Sequence, residues 1–383
     1  MKHAIQSGID RIAECDPLLR GRRIALMTNP TGIDHALRPG IDILHARYGL
    51  SALLACEHGI RGTEQAGASV GDSVDTATGV PVFGTYASHG TLSPEILDAF
   101  DVLVFDMQDV GARFYTYLYS LSHAMESCAG AGKSVVVLDR VNPLGGACIE
   151  GTLLDESLGS FVGEYALPTR TGFTMGEYAL WVRDHLGLDV DLEVVALRGW
   201  TRDLLLPELD IPWVAPSPNC PTFQTALCYL GTCVFEGTNV SEGRGTTQPF
   251  ELVGAPWIDA AELARRMNAH GLPGIGFREA AFAPSFSKGA GERCFGVQMH
   301  ILDPQEASPV LAGLLLLDGI RDLHPDRFEF LAPAKPGGPY HLDHLLGTDR
   351  YRLEGIPAAE LLASYAPALD AFLDERRPYL LYP

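Results

Sequence analysis

Four short apolar runs in the first half of the chain each end abruptly in a polar cluster. Arg23-Ile24-Ala25-Leu26-Met27 gives way to Thr28-Asn29-Pro30-Thr31-Gly32, and the run from Leu50 to Ala55 to Cys56-Glu57-His58-Gly59. Val102-Leu103-Val104-Phe105 stops at Asp106-Met107-Gln108-Asp109, and Val135-Val136-Val137-Leu138 at Asp139-Arg140-Val141-Asn142-Pro143. Runs this short, continuous and rich in Val and Leu predict strands buried on both faces of a parallel sheet. Helical patterns fall between them, at Ile41 to Arg47, after the Ser93-Pro94-Glu95 start signal, and at Tyr117 to Ala129. Alternating strand and helix argues for right-handed crossovers and an α/β fold built on a doubly wound parallel sheet. In such a sheet ligands bind outside the carboxyl ends of the strands, so the four polar tips gather on one edge.

Further on, Thr174-Met175-Gly176-Glu177 has capping-box spacing, which makes Glu177 a helix cap rather than a catalyst. Val190 to Leu197 alternates like a strand, and the proline-rich stretch Pro207 to Pro221 reads as a long connection. The domain boundary is expected just after it, dividing the chain into 1–230 and a smaller α/β unit at 231–383. That second unit has a strand candidate at Gly296 to Leu302 and an apolar helix at Pro309 to Leu323.

With 46% apolar and 20% charged residues, the 383-residue chain can bury a sizeable core. Its 28 basic and 48 acidic residues leave a net charge of −20, which argues against nucleic acid and anionic membranes as partners. The first twenty residues lack an apolar core, so no secretory signal is expected, and the run Leu311 to Leu317 is too short to span a membrane. Eight cysteines are scattered without a CxxC pair or a zinc-like spacing. Buried reduced thiols in a cytoplasmic protein are the expectation, with no metal.

Gly130-Ala131-Gly132-Lys133-Ser134 resembles the end of a phosphate-binding loop, but it follows a helix and precedes a strand, the reverse of what that loop requires. No G-x-G-x-x-G follows the first strand, and neither a G-x-S-x-G elbow nor an H-E-x-x-H helix is present. No cofactor is expected.

What stands out is the density of acids, arginines and amides at strand ends and in glycine-rich loops. Glu57-His58-Gly59-Ile60-Arg61-Gly62 and Asp106 through Tyr115, which includes Gln108, Asp109 and Arg113, are two such clusters. Asp139-Arg140-Val141-Asn142, Ile149-Glu150-Gly151 and Phe235 through Gly245, with Glu236, Asn239, Glu242 and Arg244, are three more. Paired carboxylates among Asp, Asn and aromatic residues suit glycoside hydrolysis, in which one acid protonates the leaving oxygen and a second group stabilises or attacks the anomeric carbon. Arg61, Arg113, Arg140 and Arg244 suit a substrate carboxylate. Glu57 leads the candidate acids, because a carboxyl between an apolar strand and a glycine-rich turn sits half in low dielectric. Each residue also has a structural reading, as a helix cap or half of an ion pair.

At these same segments the chain resembles the exo-β-N-acetylmuramidases of the NamZ type, a family first catalogued as a domain of unknown function. The matching stretches are Leu26 to Gly32, Glu57 to Gly62, Gln65-Ala66-Gly67, Phe105 to Tyr117, Val137 to Arg140 with Asn142-Pro143, Ser217-Pro218-Asn219, and Glu236 to Thr247. The resemblance implies a Rossmann-like N-terminal domain, a smaller C-terminal α/β domain and an active site in the cleft between them. It implies a small carbohydrate substrate, a muropeptide or MurNAc-GlcNAc fragment of peptidoglycan, from which terminal β-linked N-acetylmuramic acid is removed at the non-reducing end. Glu57 falls at the family's Glu-His-Gly glutamate, its catalytic acid; Glu150, Glu236, Glu242 and Asp106 are candidates for the second carboxylate. Asn29, His58, Arg61, Asp106, Gln108, Asp109, Arg113, Tyr115, Asp139, Arg140, Asn142, Asn219, Asn239 and Arg244 are the candidate substrate ligands. Three positions depart from the family pattern: Cys56 in place of proline, Thr171 in place of histidine, and Cys220 in place of methionine. The competing readings are an exo-glycosidase of another amino sugar and a non-catalytic muropeptide sensor; the oligomeric state is left open.

Overall fold

The computed structural model describes residues 2–57, 59–62, 71–333 and 335–383. Strands β1 (Ile24–Thr28), β2 (Leu50–Ala55), β3 (Ser73–Val74), β4 (Pro81–Gly84), β5 (Val102–Asp106) and β6 (Ser134–Leu138) follow one another along the chain. A short antiparallel pair, β7 (Glu150–Leu153) and β8 (Pro168–Arg170), intervenes before β9 (Leu192–Val195). The large sheet has the order β3-β4-β2-β1-β5-β6-β9 and is parallel except at its edge, where β3 runs against β4. The doubly wound sheet that the apolar runs predict is therefore present, extended at one edge by two strands they did not indicate, the parallel β4 and the antiparallel β3.

Both faces are covered, which is why β1 and β5 are buried at every position. Alternation splits each strand between two cores. Ala25, Met27, Leu103, Phe105, Val135 and Val137 point toward the helices Tyr117–Gly130 and Met175–His185. Ile24, Leu26, Val102, Val104, Val136 and Leu138 point toward Ile9, Ile12, Ile41 and Leu44 on the opposite side.

The second layer system is an antiparallel sheet of β10 (Leu252–Ala255), β11 (Ile275–Phe282) and β12 (Cys294–Ile301) in the order β10-β12-β11. The helices Phe223–Thr232, Ala260–Ala269 and Pro309–Leu323 pack on it and on one another. The expected division after residue 230 falls inside the helix Phe223–Thr232, whose neighbours are β12 and the helix Pro309–Leu323. That helix pair crosses at Gly231 and Gly313. A Cβ on either glycine would collide with the other helix's backbone, so the close approach needs glycine on both sides.

Several sets of contacts stitch the halves together, among them two late in the chain. The Leu345–Gly347 turn meets the N-terminal half through Thr152 Oγ1 on Leu346 O and through Asp155 N–H on Gly347 O at 2.8 Å. The chain then returns after the helix Ala366–Arg376: Leu381 N–H donates to Glu177 Oε1 at 2.9 Å, and the Tyr382 hydroxyl to Asp139 Oδ2 at 2.5 Å. Among the described residues no helix is long and apolar enough to cross a membrane.

Candidate active site

A cleft of about 820 Å³ opens between the carboxyl edge of the large sheet and the second domain. Glu57 stands on its N-terminal wall, one residue past Cys56 at the tip of β2, half-buried. Two hydroxyls bind its carboxylate: Tyr86 donates to Oε1 at 3.1 Å and Thr116 to Oε2 at 3.0 Å. Thr116 occupies the N-cap position of the helix Tyr117–Gly130, yet its side chain makes no cap and is turned to Glu57 instead. Burial and the neighbouring Glu57 charge push the Tyr86 phenol up to about 12, so it remains a donor.

The facing wall comes from the second domain. Arg244 Nη2 donates to Glu236 Oε1 at 2.6 Å, and its Nε lies 3.4 Å from Glu242 Oε1. Lys288, from the loop between β11 and β12, places its ammonium 2.8 Å from Glu242 Oε2, an ion pair without hydrogen-bond alignment. Lys288 also donates to the Phe235 and Thr238 carbonyls, which pins the loop that carries it. His341 Nε2 is 3.5 Å from Glu236 Oε2. Burial would raise the Glu236 carboxyl, but His341 and Arg244 outweigh it and hold the group down at about 2. Glu236 is thus an anion throughout any working pH range.

An aromatic floor joins the walls. Tyr115 packs edge-on against Tyr117 and Tyr229, and Tyr229 against Phe250, over which the Arg244 guanidinium lies 5.0 Å from the ring centroid. Phe250 has φ of +62°, a left-handed conformation that a bulky residue rarely adopts. It is pinned there from both sides: its N–H donates to Glu242 O at 2.6 Å, and its carbonyl accepts the Thr232 hydroxyl at 2.7 Å.

Of the residues singled out in the sequence, Glu57, Tyr115, Asn219, Glu236, Glu242 and Arg244 line this cleft. The others are placed elsewhere, and for most the reason is a partner within the protein. Glu150 lies outside the cleft, bound to Arg170 at 2.8 Å. Asp106 and Arg140 bind each other at 2.6 Å beneath the sheet edge, and burial raises the Asp106 carboxyl despite that arginine. Asp139 caps the start of the helix Met175–His185 through the Gly176 N–H at 2.7 Å, while Asn142 holds Phe173 O and Leu144 N. Asn29 accepts from Thr31, Gln108 donates to Asp109 O and Val141 O, and Asp109 accepts from Gly111 N. Arg61 is spread over Asp75. Asn239 ties Arg327 and Glu329 to the following loop. Arg113 is fully buried and donates to the carbonyls of Thr152, Leu167 and Leu345. His58 and the Gln65-Ala66-Gly67 stretch lie outside the described residues.

Sequence reasoning missed Tyr86, Thr116, Lys288 and His341. Thr116 lay inside the Phe105 to Tyr117 stretch without being singled out, and Lys288 carried a weaker signal, the glycine-rich turn Lys288-Gly289-Ala290-Gly291 between two strands. Of the three departures, Cys56 is buried under the β2 tip and Cys220 lines the cleft. Thr171 is buried away from it, with its carbonyl 3.5 Å from Arg376 Nη1. Among the described residues no three His, Cys, Asp or Glu side chains are grouped to hold a metal ion.

Known proteins resemble this chain along nearly its whole length. The chain is 42% identical to the peptidoglycan β-N-acetylmuramidase NamZ of Bacillus subtilis strain 168, over 100% of this chain and 92% of that one. Two crystal structures of DUF1343 family proteins from Bacteroides fragilis superpose with TM-scores of 0.88 and 0.77, at 33% and 30% identity, each over 99% of both chains. The N-terminal model of exo-β-N-acetylmuramidase NamZ matches residues 24–224 and the C-terminal model residues 227–382. The chain belongs to the exo-β-N-acetylmuramidase NamZ family.

Proposed function

We propose that this glycosidase releases terminal β-linked N-acetylmuramic acid from the non-reducing end of peptidoglycan fragments, with Glu57 as the proton donor. The observation that carries this reading is the placement of Glu57: a half-buried carboxyl, oriented by two hydroxyls, opposite a wall that holds cations. Glu57 gives its proton to the glycosidic oxygen as the bond to the anomeric carbon breaks, and then accepts one from the water that completes hydrolysis. Glu236 and Glu242 are engaged by Arg244, Lys288 and His341. Carboxylates bound in this way are poor nucleophiles, which supports attack by the oxygen of the sugar's own 2-acetamido group. Arg244 and His341 on this wall suit the lactyl carboxylate that distinguishes muramic acid from glucosamine. Imported fragments in the cytoplasm are the proposed substrate pool, a compartment in which the chain's thiols stay reduced.

The test compares a chromogenic β-N-acetylmuraminide with the matching β-N-acetylglucosaminide, using wild type and Glu57→Gln. Loss of a general acid lowers turnover by about 10²–10⁴, and the muraminide is expected to be the substrate that is lost. Turnover of the glucosaminide alone would reassign the sugar, and full activity of Glu57→Gln would remove Glu57 from its role. Retained anomeric configuration by NMR, together with inhibition by a thiazoline analogue, is the expected signature of acetamido attack.

A further inference from the structure

The cleft continues past its outer wall. Where Arg244-Gly245 meets Phe286, a second groove of about 590 Å³ begins, and Phe286 lines both. The ridge between them is firmly built: the Ser285 N–H and hydroxyl both reach Gly245 O at 2.9 Å. Lys288, two residues beyond Phe286, is anchored in the cleft wall by Glu242. Phe286 is nonetheless 48% exposed, an apolar side chain beside the cleft.

The groove differs in charge from the rest of the molecule. In a chain of net charge −20, no carboxylate lines it among the described residues, and Arg278 is its one charged side chain. Arg278 donates to Gln298 Oε1 at 2.6 Å and to Glu279 O at 3.1 Å, neutral acceptors that hold the guanidinium in place without cancelling its charge. Thr247 and Gln248 add a hydroxyl and an amide to the lining. One exposed aromatic face, neutral hydrogen-bonding groups and one uncompensated cation match an amino-sugar chain that carries a carboxylate at intervals.

We infer that this groove binds the reducing-side continuation of the glycan. The first sugar beyond the scissile bond lies on Phe286, and the lactyl carboxylate of the next muramic acid pairs with Arg278. Amino sugars with and without the lactyl group alternate in peptidoglycan, so a substrate seated with muramic acid at Glu57 brings its second carboxylate two sugars along. The inference rests on the glycosidase reading above and extends it from a disaccharide-cleaving site to one that selects for chain length. β11, which carries Arg278, is also an edge strand that an extended peptide can join. The neutral hydroxyl and amide lining favours sugar over peptide.

The experiment measures kcat/KM on the disaccharide MurNAc-GlcNAc, on its tetrasaccharide and on the same tetrasaccharide bearing stem peptides, for wild type, Arg278→Gln and Phe286→Ala. One charge-assisted hydrogen bond at a solvent-open site is worth about tenfold. Arg278→Gln is therefore expected to lower the tetrasaccharide-to-disaccharide ratio about tenfold through KM, and Phe286→Ala to lower kcat/KM on both. An unchanged ratio in Arg278→Gln overturns the inference, as does a loss confined to peptide-bearing chains, which would make the groove a peptide track. Calorimetric binding of the tetrasaccharide in a Glu57→Gln background reads the groove without turnover: equal affinity with and without Arg278→Gln overturns it. Absence of muraminide turnover by wild type would instead sink the glycosidase reading, with calorimetry still deciding the groove.

Discussion

Replacing Lys288 by methionine keeps the apolar stem of the side chain and removes the charge 2.8 Å from Glu242 Oε2. Glu242 is 1% exposed and cannot turn to water for compensation. Its other cation, Arg244, is farther away at 3.4 Å and is shared with Glu236. Removing one partner of a fully buried ion pair costs about 3–5 kcal/mol. Lys288 is 22% exposed and Arg244 stays in place, so the expected loss is reduced to about 2–3 kcal/mol. The assay is urea unfolding at neutral pH for Lys288→Met, Glu242→Gln and the double variant. A glutamine at 242 asks for no cation, so the double variant is expected to be more stable than the sum of the single losses by about 1 kcal/mol or more. Lys288→Met within about 0.5 kcal/mol of wild type, or strict additivity in the double variant, would refute the coupling.

Three further outcomes follow from groups inside the fold. Burial pushes Asp109 up to about 7 against the Gly111 and Val110 N–H groups, so the folded protein holds a proton that the unfolded chain releases near pH 4. Stability from this group is complete below that lower value and is lost as pH rises toward 7, a total of about 4 kcal/mol that Asp109→Asn should remove from the pH dependence; urea midpoints of wild type and variant that run parallel between pH 5 and pH 8 would contradict this. Glu236, held near 2 by His341 and Arg244 in spite of its burial, has no proton to give. Glu236→Gln should therefore lower kcat/KM while leaving the basic limb of its pH profile in place, and a displaced limb would show that Glu236 takes part in proton transfer. Gly313→Ala drives a methyl into the backbone at Gly231 and is expected to cost about 1–3 kcal/mol in thermal or urea unfolding; a neutral result would mean that the two helices part freely.

The large sheet was legible because its strands leave little choice. An apolar run of four or five residues that ends in a polar cluster has no solvent face to offer, so β1, β5 and β6 read correctly from pattern alone. The cleft residues were harder to separate from their neighbours, because every strand tip presents the same residue types. Strand order decides between them. The tips of β1, β5 and β6 lie side by side, where Asp106 meets Arg140 and Asp139 meets the helix start at Gly176. The β2 tip lies further along the sheet edge, and from there Glu57 faces the second domain. Nothing local in a sequence states which tip another domain will face. For the same reason Lys288 and His341, which arrive from distant loops, carried almost no signal, whereas Glu236, Glu242 and Arg244 came as one continuous motif.

Arg113 shows how the two halves behave in motion. Its guanidinium belongs to the N-terminal half, is fully buried, and is wrapped in carbonyls alone, one of them Leu345 O from the other half at 2.7 Å. Burial draws its pKa down to about 10, so it keeps its charge at neutral pH. A hinge opening along this seam would strip a bare cation of a main acceptor while water is still excluded, a penalty far above thermal energy. The two halves are therefore expected to stay together at this seam through turnover, so that selection rests on fit at the threshold rather than on closure after entry.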